Sequence, residues 1–562
     1  DNPLTDSLVT LNTGSNINMS SSSTGVGIFT SNSIININGG VIEAGNTTGI
    51  YAINGSRINA SGGSIRVDGG GVGVYLSGDS QYNETGSQTA QFVITGDNAS
   101  LFSPETGSIF NISPANIDNT TNMLTTPYKF IVGSIGDINY TYDSSLNIGN
   151  VENATIFGTS GGTILLDTLS SLVSNGVNTI GAGAGEAKDS LISYPGGAYE
   201  IINNGIITLT GKHSTAIYTK AGAKALNSGT AGNLISIGKN SAGMYTEGID
   251  SLAQNDGNII IGEGSAGLYS SASKSALTEA GTVNNGNITA QEITPGIFSN
   301  SVTGIYITAG NEGYQKNGII NFKGEGSTGI FNEGNFNMSG GTVSLQSLGG
   351  VAVYSKGQRA VTEISGGAIE VQDGSVALYA DNSTIKVSGG TFYIGAEGLL
   401  MYNYLSGGSA ALGQLNISNT PIAVIDNGGM AFYVEGESLS GISGILNNLV
   451  STASTGTMFL NMKNGSSLLR WNKPVNTLIL SGIPSVGTVN GIDHTTLTAP
   501  GTDYKEYSVN LGDLIIDKNI TLKFLGNAYD GVEMSRSKVT LAAGYTITDS
   551  QDGQAAIAQT NY

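Results

Sequence analysis

A three-residue phrase, small then apolar then aromatic, recurs along this chain and limits its possible folds more than any other feature. It reads Gly27-Ile28-Phe29, Gly49-Ile50-Tyr51, Gly73-Val74-Tyr75, Ala216-Ile217-Tyr218, Gly243-Met244-Tyr245 and Gly267-Leu268-Tyr269. It continues as Gly304-Ile305-Tyr306, Gly329-Ile330-Phe331, Ala352-Val353-Tyr354, Ala377-Leu378-Tyr379, Leu400-Met401-Tyr402, Ala431-Phe432-Tyr433 and Thr457-Met458-Phe459. Successive aromatics lie mostly 22 to 27 residues apart, the exceptions being steps of 37 and 31 and one gap of 143. A glycine turn precedes the aromatic by 11 to 13 residues at Gly40, Gly63, Gly205, Gly232, Gly257, Gly318, Gly341, Gly367 and Gly390. Short alternating runs such as Ile58-Asn59-Ala60, Ile65-Arg66-Val67, Ile369-Glu370-Val371 and Ile385-Lys386-Val387 flank that turn. Each repeat thus reads strand, glycine turn, strand, polar turn, strand.

Three short strands in about 24 residues cannot bury their apolar faces alone, whereas coils stacked one on another share a continuous interior. The expected fold is all-β: a right-handed, single-stranded parallel β-helix of 22–27 residues per coil. Helical repeats are disfavoured because a glycine inside a helix costs about 1 kcal/mol and glycine fills 84 of 562 positions. At most about 23 coils could stack at ~4.8 Å each, a rod of order 110 Å that side excursions would shorten. Parity around the phrase puts Ile50, Val74, Ile217, Met244, Leu268, Ile330, Val353 and Leu378 inward. It turns Tyr51, Tyr75, Tyr218, Tyr245, Tyr269, Phe331, Tyr354 and Tyr379 outward.

The organisation expected is coils over 1–80, degenerate coils with long loops or an excursion over 81–200, and regular coils over 201–436. An irregular loop or subdomain over 437–520 precedes a return of coils over 521–562. The 143-residue gap corresponds to about six coils. Short helices are expected near Leu166–Val173 and over Leu439–Val450.

Charge and cysteine usage narrow the chemistry. The net charge is −20, charged residues are 11% of the chain, and no basic stripe offers counterion release to nucleic acid or attraction to an anionic membrane. There is no cysteine and there are two histidines, His213 and His494, so thiolate chemistry is excluded and histidine chemistry restricted. No cofactor or metal site is expected, since no Asp-x-Asp-x-Asp pattern signals calcium. The start, Asp1-Asn2-Pro3, lacks a signal-peptide pattern and is read as that of a processed or excised piece.

The phrases Asn203-Asn204-Gly205-Ile206-Ile207-Thr208-Leu209-Thr210-Gly211 with Ser214-Thr215-Ala216-Ile217-Tyr218, and Asn317-Gly318-Ile319-Ile320-Asn321-Phe322 with Ser327-Thr328-Gly329-Ile330-Phe331, resemble a recurrent unit of bacterial autotransporter passengers. They are most similar to the very large fusobacterial outer-membrane adhesins, over about half the chain. The resemblance implies a non-enzymatic passenger segment displayed on the cell surface and anchored through a C-terminal barrel that this chain does not show. It also implies partners of the kind host glycoproteins, immune receptors, glycans or other bacteria. It carries over no site residue.

Several motifs have competing readings. Gly262-Glu263-Gly264-Ser265-Ala266-Gly267 and Gly324-Glu325-Gly326-Ser327-Thr328-Gly329 match G-x-G-x-x-G, but a strand rather than a helix should follow, so both read as turns. His213 falls in the same turn slot as Asn240, Gly264 and Gly326, whereas His494 falls in an irregular loop. Gly158-Thr159-Ser160-Gly161-Gly162 fits a nucleophile elbow only formally. Acidic residues Glu333, Glu363, Glu370 and Asp373 are scattered at outward or turn phases. A polysaccharide lyase or hydrolase remains the alternative, because carboxylates on adjacent coils can meet. A ligandless mechanical spacer is the third reading. For recognition, the candidates are Arg470, Trp471 and Lys473 in a loop, and Tyr402 with Tyr404. Their bland readings are a Trp sealing a loop base and a further rung of the ladder.

Overall fold

The computed structural model describes residues 8–68, 70–84, 163–184, 197–220, 222–275, 279–372, 374–404 and 428–435 continuously, and shorter pieces, most of them single strands, elsewhere. Among the described residues the regular elements are all β-strands, paired in parallel coil on coil as a β-solenoid. The chain divides into two compact units, Asp1–Thr282 and Val283–Tyr562.

In the first unit the strands Val26–Ser31, Thr48–Ile53 and Val72–Leu76 pair in parallel, with Ile28, Ile50 and Val74 in one row and Phe29, Tyr51 and Tyr75 in the next. The same two rows reappear on Thr215–Lys220, Ala242–Ile249 and Ala266–Ser273. A second sheet includes Lys224–Asn227 and Leu252–Asn255, and a third includes Ile206–Leu209, Leu234–Ile237 and Asn258–Ile261. The glycine landmark lies between these two sheets. In the first coils they merge into the long strands Ile34–Ala44 and Arg57–Val67, whose register shifts near the glycine pair.

The 143-residue gap is bridged by five rung steps rather than six. Val74 registers on Phe102, Phe102 on Val132, Val132 on Phe157, Phe157 on Ala182 and Ala182 on Ile217. The landmark is hidden there because the ladder phase carries Ser103, Gly158 and Gly183, while Phe102 and Phe157 take the inward phase and are fully buried. Moving an aromatic by one residue turns it to the other face of the strand.

The helix expected near Leu166–Val173 is not formed. Strands Thr163–Leu166 and Ser171–Ser174 pair with neighbouring coils, and the link between them is a tight turn closed by Ser170 N–H on Asp167 O at 2.8 Å. Inter-coil pairing satisfies this backbone already, so local helical hydrogen bonds have nothing to add. The stretch Leu439–Val450 lies outside the described residues. An excursion does occur before residue 200, where Ile192–Tyr194 pairs antiparallel with Gly197–Tyr199. Tyr199 packs with Ile202 and Leu226 in a buried satellite cluster on the outside of the second sheet, and its hydroxyl donates to Gln254 Oε1 at 3.1 Å.

In the second unit the aromatic phrase runs through Thr303–Ile307, Thr328–Asn332, Val351–Lys356, Val376–Asp381, Leu399–Tyr404 and Met430–Glu435, again in parallel register. The next rung is Ser467–Asn472, covered on its far side by the antiparallel strand Thr477–Ser481. Thr457-Met458-Phe459 was expected to continue the ladder and does not. Strand Met458–Met462 belongs to the third sheet, where Phe459 registers on Ile422, because three apolar residues in a row satisfy either sheet's pattern. Three-faced coiling returns near the end. Ser508–Val509 stacks under Val532–Ser535 and Ile557–Thr560, Leu514–Ile516 under Val539–Leu541, and Ile520–Lys523 under Ile547–Asp549.

The inward row is the core: Ile50, Val74, Ile217, Met244, Leu268, Ile330, Val353 and Leu378 are all fully buried. The small residue of the phrase has a packing cause. A Cβ on Gly329 would collide with Val343 Cγ1 of the third sheet and lie 2.5 Å from Ala352 O on the next coil. The turn slot five residues before the aromatic has a conformational cause instead. His213 (φ 58), Asn240 (φ 50), Gly264 (φ 69) and Gly326 (φ 63) all adopt the left-handed conformation there, which favours Gly and Asn.

Candidate functional site

Stacking at about 4.8 Å per coil turns one outward aromatic per repeat into a continuous row. In the second unit this row is Tyr306–Phe331–Tyr354–Tyr379–Tyr402–Tyr433, with ring centroids 4.7, 5.1, 4.5, 4.8 and 5.1 Å apart. In the first unit Phe29–Tyr51–Tyr75 and Tyr218–Tyr245–Tyr269 form shorter rows. Apart from Phe29, which is exposed, these rings are half-buried. Most pairs stack near-parallel, whereas Tyr245–Tyr269 and Phe331–Tyr354 meet edge to face. Offset or edge-to-face contacts of this kind add about 0.5–1.5 kcal/mol per pair beyond area burial.

A polar row follows two residues along each strand. Lys220 lies 3.5 Å from Glu247 and Lys356 3.2 Å from Glu333, each pair joining neighbouring coils. The phenols reach into this row: Tyr218 donates to Glu247 Oε2 at 2.5 Å and Tyr354 to Asp381 Oδ2 at 3.3 Å. Partial burial, followed by the negative charge of Asp381, pushes the Tyr354 hydroxyl up to about 12. On the second sheet Lys386 pairs with Glu363 at 2.8 Å. These carboxylates therefore bind cations or phenols one coil away. Among the described residues no three His, Asp or Glu side chains converge as a metal site would need.

Four of the five recognition candidates lie on two strands of the aromatic sheet. Tyr402 registers on Tyr433 and Tyr433 on Arg470, so Arg470 stands in the row where an aromatic stood in the preceding rungs. Asn403 registers on Val434 and Val434 on Trp471, while Tyr404 registers on Glu435 and Glu435 on Asn472. Tyr402 and Arg470 thus lie two rungs apart in the outward row, about 10 Å, whereas Trp471 falls in the row of the buried Asn403, on the opposite face of the strand. The expected loop around Trp471 is corrected: Arg470 and Trp471 lie within a strand paired on both sides, since the backbone of Ser467–Asn472 has both a parallel and an antiparallel neighbour. Lys473 lies outside the described residues. Tyr402 is stacked on both faces, between Tyr379 and Tyr433.

His213 is exposed in its turn, as its slot implied. His494 was expected in an irregular loop but ends the strand Ile492–His494, in register with Leu460. Strands Ala266–Ser273 and Thr328–Asn332 follow the two glycine motifs, so the helix needed to cradle a phosphate is replaced by strand. Gly158 and Thr159 lie in a rung of the aromatic sheet, and Ser160 is outside the described residues.

Two polar ladders escaped sequence reasoning. Asn203 Nδ2 donates to Asn227 Oδ1 at 2.8 Å and Asn227 Nδ2 to Asn255 Oδ1 at 2.7 Å inside the first unit, and Asn284 Nδ2 donates to Gln315 Oε1 at 2.8 Å inside the second. At another corner Thr179 N–H donates to Ser214 Oγ, Ser214 N–H to Ser241 Oγ and Ser241 N–H to Ser265 Oγ, at 2.9–3.1 Å. The signals were present as Asn-x-Gly at the glycine turn and as Ser four residues before the aromatic. Comparison with protein-family models, with curated proteins and with solved structures gave no match.

Proposed function

We propose that this chain is a non-enzymatic, extracellular adhesin segment of the autotransporter passenger kind, displayed at a bacterial surface. In this reading the stacked coils form a stiff support, and adhesion to a host glycoprotein, immune receptor, glycan or partner bacterium takes place at features on its surface. The observation that carries the reading is the placing of Tyr402, Tyr404 and Arg470 at outward positions on two strands that lie two rungs apart. Aromatic and arginine residues grouped at one place are the composition that anchors recognition interfaces. Inter-coil pairing of carboxylates with lysines and phenols supports binding over hydrolysis, since a glycosidase needs two carboxylates free to face one bond.

The test is a glycan and receptor array probed with the purified chain and with its Arg470→Ala and Tyr404→Ala variants. Binding that falls at least tenfold in both variants while the fold is retained is the expected result. No binding by the parent chain would leave the mechanical spacer as the better account. Depolymerisation of a glycan on the array would favour the lyase or hydrolase.

A further inference from the structure

We propose that the tyrosine rows template their own oxidative cross-linking: exposed to peroxidase-activated hydrogen peroxide, tyrosines on consecutive coils couple ring to ring within one chain as dityrosine. The geometry selects the pairs. Tyr51 and Tyr75 stack at 4.6 Å with their planes 4° apart, Tyr379 and Tyr402 at 4.8 Å and 19°, and Tyr402 and Tyr433 at 5.1 Å and 11°. Near-parallel rings in register set equivalent ortho carbons opposite one another. By contrast, Tyr245 and Tyr269 meet at 63°, edge to face. The rings are half-buried, so they can be oxidised yet have little freedom to meet other molecules.

The chemistry balances. Each of two phenols loses one electron and one proton, and the peroxide takes up both pairs to give two waters. The two phenoxyl radicals join through one new ortho C–C bond, and the ring hydrogens displaced there return to the phenolic oxygens. Carboxylates beside the row supply a first proton acceptor, as Asp381 does for the Tyr354 hydroxyl at 3.3 Å. Two partners held face to face react at effective concentrations of about 10⁵ M or more, far above any intermolecular encounter in dilute solution.

The test oxidises the dilute full chain with peroxidase and hydrogen peroxide and maps linked peptides by mass spectrometry. Expected products are Tyr51–Tyr75, Tyr379–Tyr402 and Tyr402–Tyr433 links on a monomeric chain, two hydrogens lighter per link. In Tyr402→Phe both links to position 402 vanish while Tyr51–Tyr75 persists, a control for fold and oxidant. Links mainly between chains, links between non-adjacent rungs, the same pairs forming in urea, or no link at a dose that couples free tyrosine would each overturn the proposal.

Discussion

Asn227 Nδ2 donates to Asn255 Oδ1 across adjacent coils at 2.7 Å, with both side chains fully buried. Asn227 also accepts from Asn203 Nδ2, so each amide is satisfied by a copy of itself one coil away. Replacing the middle member strands a donor below and an acceptor above. Asn227→Ala should therefore cost about 2–4 kcal/mol, counting two unsatisfied buried groups at ~1–3 kcal/mol each. Denaturant midpoints check this, and a loss under 0.5 kcal/mol (about a third of one such group) would refute the ladder's role.

Ile330 is fully buried in the inward row between Ile305 and Val353. Ile330→Asp should cost more than about 4 kcal/mol, since an unpaired carboxylate replaces apolar packing. Hydrogen exchange should quicken first on Thr328–Asn332 and its two neighbouring rungs, because solenoid stability is carried by nearest neighbours. Unchanged thermal unfolding would contradict the register.

Gly329 tests the small position of the phrase. Its φ is unexceptional, so the penalty for a side chain comes from the approach of Val343 and Ala352 O alone. Gly329→Val should lose about 1–3 kcal/mol by overpacking. Gly329→Ala should lose less, because Ala352 already fills the same phase on the next coil.

Tyr354 makes the row sensitive to alkaline pH. Its folded hydroxyl is raised to about 12, from an unfolded value near 10, so the folded state holds the proton more tightly. That contribution to stability is complete below pH ~10 and is lost as pH rises through about 12. Ultraviolet titration of the parent chain minus Tyr354→Phe should show one phenolate forming late. A difference centred near pH 10 would exclude the effect.

Lys386 and Glu363 form a half-exposed pair at 2.8 Å. Water and salt screen such pairs, so Lys386→Ala should change stability by less than about 1 kcal/mol, with less effect still in high salt. A larger loss in urea unfolding would show that this row does more than decorate the second sheet.

The sequence by itself determined the architecture and its phase. A period of two dozen residues, alternating patterning within it and a small–apolar–aromatic phrase leave one economical solution, in which every coil buries its inward residues against the next. That is why Ile50 through Leu378 were readable as core and Tyr51 through Tyr379 as an outward row. Only the tertiary structure decided what the rows touch. Strand parity says which side a residue faces but not which residue of another coil stands over it. Thus Phe102 and Phe157 could replace the landmark unseen, and Phe459 could be claimed by the third sheet. For the same reason the asparagine and serine ladders, and the placing of Arg470 above Tyr433, follow from register between coils. Register is fixed by the summed lengths of loops and excursions, and no local pattern encodes that sum.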